Sequence, residues 1–187
     1  MQHFIFNQEI IIQGVVVKKQ KAEEAYDLAY RYEKEWRVCS QCTIKALMDV
    51  YKIDNNDYFK VLSGFGAGSG SEGDGNCGAY VAGIFFLSSE FGRDICDIGV
   101  DPDDPRGSKK NRILTPLIKK LHTKFIKEYG SIICSQIHRS LYGRPFYLLD
   151  PQEGKKFDLA GGHDWGCTSV CGNSAKWTVE IFDEAKK

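Results

Sequence analysis

The sequence has no excess of charge of either sign: lysine plus arginine and aspartate plus glutamate stand at 25 each. No global field draws such a chain to nucleic acid or to an anionic membrane, and neither is expected as a partner. Long apolar runs are missing too. The longest, from Ala79 to Leu87, falls well short of the roughly 20 residues that cross a bilayer. Residues 1–20 lack the basic start, apolar centre and small-residue cleavage site of a signal peptide. A cytoplasmic, soluble protein is therefore expected. There is no internal repeat and no low-complexity tract. Asp101, Asp103 and Asp104 fall in an acidic stretch, 97–108, but no glutamate stands where an EF-hand needs one. That stretch reads as a solvated surface loop.

What the chain has is cysteine: Cys39, Cys42, Cys77, Cys96, Cys134, Cys167 and Cys171. An odd count, no signal peptide and a length of 187 residues argue against a disulfide framework. Three uses remain: metal ligation, thiol chemistry, or small buried filler. Otherwise the composition, 42% hydrophobic and 27% charged, is that of an ordinary globule.

Hydrophobic periodicity predicts a mainly α-helical, single-domain bundle over residues 21–187, after an N-terminal segment 1–20 whose Ile and Val suggest a short β-hairpin. Ala25, Leu28, Ala29 and Tyr32 recur at helical spacing, and Thr43, Ala46, Leu47 and Val50 resume it after a break near Arg37. Residues 77–87 are apolar on all sides, as a buried helix would be. The longest amphipathic pattern runs from an N-cap at Thr115, with Pro116 in the first turn, to Tyr142, where Gly143 and Pro145 end it. Residues 150–164 are polar and Gly-rich, hence loop, and a last helix covers Cys167 to Ala185.

Three cysteines stand at predicted helix starts: Cys39, Cys77 and Cys167. Unpaired amides and the positive end of the macrodipole gather there, favouring thiolate over thiol. Cys134 falls inside the long helix, with Gly130 one turn earlier on the same face. A glycine in a helix interior costs about 1 kcal/mol, and the return expected is room beside Cys134 for an inorganic group or for another backbone at a tight helix crossing. Cys42 and Cys171 follow Cys39 and Cys167 at one-turn spacing, as extra ligands or as buried filler. Cys96 reads as structural.

Between these lies a loop, Ser63 to Asn76, that carries six glycines (Gly64, Gly66, Gly68, Gly70, Gly73 and Gly75), and its Gly68-Ser69-Gly70-Ser71-Glu72-Gly73 matches a dinucleotide pattern. No βαβ unit surrounds it and no Lys-Ser/Thr ends it, so dinucleotide and Walker readings are weak. Because it runs into Cys77, bare amides wrapping an anionic cluster are the better reading. Of the histidines, His122 and His138 read as surface or packing residues. His163, four before Cys167, suits a supporting hydrogen bond or proton transfer.

In order, Cys39-Ser40-Gln41, Ser63-Gly64-Phe65-Gly66, Cys77-Gly78-Ala79, Tyr129-Gly130-Ser131 with Cys134, and Cys167 followed by Gly172 and Ala175 resemble the redox-active family named for its C-GCAxxG-C-C pattern. The resemblance covers about residues 21–185. That family resembles in turn part of the split-Soret cytochromes c, which carry an iron–sulfur cluster besides haem. The resemblance implies a helical redox protein that uses Cys39, Cys77, Cys134 and Cys167, with Gly66, Gly68, Gly78 and Gly130 against the cofactor. Two features depart from the pattern. Val81 or Ala82 stands where a glycine is expected, Gly83 coming later, and Cys42 and Cys171 are additions. Haem is not expected, since Thr43 and not histidine follows Cys39-Ser40-Gln41-Cys42.

The leading expectation is an electron-transfer protein holding a 2Fe–2S or 4Fe–4S cluster, or a larger one if Cys42 and Cys171 also ligate. It would be anaerobic in character, an oxidoreductase component that serves a redox partner protein or a small-molecule acceptor; a homodimer is compatible with this. Structural zinc is one alternative, although only Cys39 and Cys42 have knuckle spacing. A thiol–disulfide oxidoreductase working through the same pair is the other.

Overall fold

The computed structural model describes residues 9–12, 15–18, 20–97 and 105–187, and it is mainly helical. Strands β1 (Glu9–Ile12) and β2 (Val15–Lys18) pair antiparallel, Glu9 opposite Lys18 and Ile12 opposite Val15. Eight α-helices follow among the described residues.

Helix α1 (Lys21–Trp36) starts with Glu23 and Glu24 and ends with Lys34, charges that match its dipole. Its inward face is Ala25, Ala29, Tyr32 and Glu33. Arg37 and Val38 then both adopt left-handed backbone, φ 64° and 65°. Each such non-glycine residue costs about 1–2 kcal/mol, and the pair turns the chain sharply into α2 (Cys39–Tyr51). Helix α3 (Asn56–Val61) is capped by Asn55, whose side chain accepts from the Asp57 amide. Helix α4 (Gly78–Phe91) lies beyond the glycine loop. Helices α5 (Pro105–Tyr129) and α6 (Cys134–Tyr142) come next. Then α7 (Pro151–Leu159) and a wide helical turn, Gly162–Gly166, lead into α8 (Cys167–Ala185).

Helix α8 is the centre of the bundle, packing against α1, α2, α4 and α5. Its buried face mixes Val170, Val179 and Ile181 with Ala175 and Ser174. Gly83 lets α4 come close: a Cβ there would stand 2.6 Å from Thr178 Oγ1 and 2.8 Å from Leu121. Ile44, Leu47, Phe86, Leu121 and Phe125 fill the core around this crossing. Each contributes roughly 1.5–3 kcal/mol by leaving water.

Three expectations need correcting. The long helix does not run unbroken to Tyr142. Gly130, at φ 75°, ends α5, and α6 starts afresh at Cys134. At its other end α5 begins at Pro105, so Pro116 lies inside it and Thr115 is no cap; residues 105–108 are therefore helix, not loop. Residues 151–159, expected as loop, form α7, because Asp150 caps it and Pro151 fits its first turn. The aspartates 101, 103 and 104 lie outside the described residues. No helix among the described residues is long and apolar enough to cross a membrane.

Candidate functional site

Four cysteines from four separate helix starts meet at one cavity. Cys39 opens α2, Cys77 caps α4, Cys134 opens α6 and Cys167 opens α8. All four line a cavity of about 260 Å³. That is far more than the roughly 10–15 Å³ a single water needs, and slightly less than the pocket of a drug-sized ligand. Cys134 was expected mid-helix; its true place makes it the fourth thiol at a helix N-terminus.

The glycine loop builds one wall. Ala67, Gly68, Ser69, Gly70 and Ser71 are consecutively left-handed, with Gly73 following at φ 80°. The three non-glycine residues carry strain of about 1–2 kcal/mol each, and strain of this kind gathers at functional sites. Hydrogen bonds hold the coil: Gly70 N to Gly64 O at 2.9 Å, Gly73 N to Ala67 O at 3.0 Å, and Gly75 N to Gly68 O at 3.1 Å. The loop is then clamped to the start of α6. Cys134 N donates to Gly75 O at 3.0 Å, Ser135 N to Gly73 O at 2.8 Å, and Cys77 N to Ile132 O at 2.8 Å. Cys77 and Cys134 are thus placed by one and the same backbone ladder.

The expected glycines divide accordingly. Gly66 lines the cavity. Gly68 backs onto Cys134, where a Cβ would meet that of the cysteine at 2.9 Å. At Gly78 a Cβ would stand 2.6 Å from Cys39 Sγ. Gly130 faces open space and does not line the cavity; it is a helix stop, not room beside Cys134.

Helix ends favour thiolates, but burial outweighs them here. The Cys39 thiol is pushed well up by its hydrogen bond with Cys77 and then by burial. Burial raises Cys134 to about 12 and pushes Cys167 up as well. Without a cation in the cavity, these thiols keep their protons at neutral pH.

Sequence reasoning missed two residues of the wall. His138 is 3% exposed, with Nε2 at 3.8 Å from Cys134 Sγ and 3.6 Å from Cys167 Sγ. Burial lowers it to about 4, so the ring is neutral, and its Nδ1 is buried without a partner among the described residues. One-turn spacing from Cys134 was the signal available. Glu33 is the other: a buried carboxyl on the inward face of α1, hidden in sequence by its neighbours Lys34 and Glu35. His163, which was expected near Cys167, also lines the cavity. Tyr142 Oη accepts from the Cys167 amide at 3.1 Å and lies 3.8 Å from its sulfur.

Cys42 and Cys171 do not line the cavity. Both are buried in the core, 1% and 0% exposed. The Cys42 thiol donates to Arg37 O at 2.8 Å and the Cys171 thiol to Cys39 O at 3.7 Å. Cys96, expected to be structural, is exposed on the short turn Ile95–Asp97. All seven cysteines are free.

Four cysteines at helix starts thus line one cavity of a cysteine-rich helical bundle. The family model described as "Putative redox-active protein (C_GCAxxG_C_C)" matches residues 37–181, and the chain belongs to that family. Neither a curated protein nor a solved structure gives a significant match.

Proposed function

We propose that Cys39, Cys77, Cys134 and Cys167 hold an iron–sulfur cluster and that the protein works as an electron carrier for a redox partner or a reductase. The observation that carries this reading is the convergence of four cysteine side chains, from four helix starts, on one cavity large enough for an inorganic group; the thiols of Cys39, Cys134 and Cys167 are raised there. Protonated thiols are poor nucleophiles, whereas a multiply charged metal centre takes them as thiolates. When bound, a cluster supplies one-electron chemistry, tuned by hydrogen bonds to its sulfurs and by burial. The chain's part is to hold those sulfurs at four helix starts and to surround them with the apolar side chains of Phe157, Ile137 and Val170.

The donor set fits a cluster better than a lone zinc ion. Among the described residues no three His, Cys, Asp or Glu side chains stand close enough to share one ion, while zinc needs four sulfurs about 2.3 Å from a single centre. In a cluster the cysteines bind different irons, which spreads them more widely. The Cys39/Cys42 dithiol reading is disfavoured as well, since Cys42 faces the Arg37 carbonyl and burial raises both thiols.

Anaerobic purification, followed by iron, zinc and acid-labile sulfide analysis, tests the proposal. Iron with matching sulfide, and a visible band that dithionite bleaches, is the expected result. In a Cys134→Ser variant both should fall sharply. Zinc alone, or no metal with disulfide cycling at Cys39 and Cys42, overturns it.

A further inference from the structure

The cavity wall contains one carboxyl that four thiol ligands do not require. Glu33 is 3% exposed and lines the cavity, and among the described residues its Oε2 has no hydrogen-bond partner. Its Oε1 stands 3.9 Å from His163 Nε2. Across the same ring, Nδ1 lies 2.6 Å from Asp158 Oδ1, and Asp158 is half-exposed. The three groups form a line from solvent to the cavity.

We propose that Glu33 is a proton donor to the cavity, refilled from solvent through His163, with Asp158 holding the imidazole in place. The redox step at this site then ends on a group or small molecule that takes up a proton with its electron. This last clause rests on the redox reading above, but the route itself does not.

The chemistry balances as follows. At rest, Asp158 accepts the Nδ1–H proton, which leaves Nε2 bare towards Glu33. Burial holds the Glu33 carboxyl well above the usual range, so it carries a proton at neutral pH; the Cys42 thiol and the Arg37 guanidinium oppose burial and do not overcome it. Thiolates at Cys39, Cys167 or Cys171 would raise it further, because each of these groups repels a charged Glu33. When Glu33 gives its O–H proton to an acceptor in the cavity, a carboxylate remains. The imidazole, with its side chain 18% exposed, takes a solvent proton at Nε2 and stands as imidazolium between two carboxylates. It passes that proton to Glu33 Oε1 and returns to its resting tautomer. The 3.9 Å gap closes by a small side-chain movement or through one water.

A merely structural Glu33 is the rival account, and hydrogen–deuterium exchange read by infrared spectroscopy separates the two. The as-purified full chain is transferred from H₂O to D₂O at pH 7 while the protonated-carboxyl band is followed. The expected band is present in the wild type, absent in Glu33→Gln, and shifts as fast as the solvent is exchanged. In His163→Phe the shift should slow at least tenfold, and in Asp158→Asn, a milder surface change, several-fold. Absence of the band in the wild type, or unchanged exchange in both relay variants, overturns the proposal. Iron and sulfide measured on the same sample report separately on the cluster reading.

Discussion

Gly78→Ala tests the site at the point where backbone and thiol come closest. Gly78 is the first residue of α4 and its φ is not positive, so the glycine is there for space. A Cβ would lie 2.6 Å from Cys39 Sγ, 2.7 Å from the Phe65 carbonyl oxygen and 3.1 Å from Ser40 Cβ. Two of these neighbours are held in place. Phe65 N bonds to Leu62 O at 3.1 Å, and Ser40 Oγ donates to the same carbonyl at 2.7 Å. The movable neighbour is the sulfur, so relief comes by turning Cys39 out of the cavity. Overpacking of this kind costs about 1–3 kcal/mol, against at most about 1 kcal/mol of improved helix propensity. The net expectation is a loss of about 1 kcal/mol, read as a lower urea midpoint, together with loss of most of the iron. Gly130→Ala is the matched control. It meets nothing within 4 Å but sits at φ 75°, so it should cost about 1–2 kcal/mol of backbone strain and leave iron loading intact. A Gly78→Ala protein that loads iron and unfolds like the wild type would refute the reasoning.

Cys42→Ala and Cys171→Ala should each keep full iron per chain, since neither residue lines the cavity; each should lose about 1 kcal/mol for the buried atoms removed, measured by urea unfolding. His138 makes the metal-free protein acid-sensitive. Its value falls from 6.5 to about 4 on folding, so the unfolded chain takes up a proton that the folded chain refuses. Stability is complete above pH 6.5 and is lost as pH falls towards 4, by on the order of 3 kcal/mol. Glu33, raised on folding, acts in the opposite sense, costing stability as pH rises above the carboxylate range. The His138 part is therefore the difference between wild type and His138→Phe, with urea midpoints taken at pH 7 and pH 4.5; equal pH dependence in the two would count against it.

The parts of this fold that were legible had local causes. The break at Arg37 and the span of α8 followed from periodicity and its interruption. The start of α6 was hidden because the apolar spacing from Tyr129 through Ile132 and Ile133 to Ile137 carries on across a turn, so that the period alone concealed the stop at Gly130. Helix α7 was signalled by Asp150 and Pro151, but its surface is so polar that only Phe157 is buried, and periodicity had little to detect. Four thiols of the site could be picked out by type and position. The upward shift of the Cys39, Cys134 and Cys167 thiols could not, because it depends on contacts and burial that only the assembled bundle creates. Glu33 was unreadable for the same reason: nothing local separates a carboxylate facing solvent from one facing a cavity.

That competition between helix end and burial also decides what the site is suited to do. A thiol at an exposed helix start ionises readily and serves exchange chemistry. Here the loop after Gly66 forms one wall of the same position, and desolvation opposes ionisation of Cys134 and Cys167, so a cation is needed to supply the missing charge. That wall is built from distant parts of the chain. The bonds from Cys77 to Ile132 and from Cys134 and Ser135 to Gly75 and Gly73 join segments far apart in the chain, and Cys167 arrives only when α8 docks against α1, α2, α4 and α5. An unfolded chain thus presents scattered thiols with no shared centre, whereas the folded chain presents four at once. Metal affinity and folding stability are then linked in one equilibrium, and a substitution that loosens the loop, such as Gly78→Ala, is felt in both.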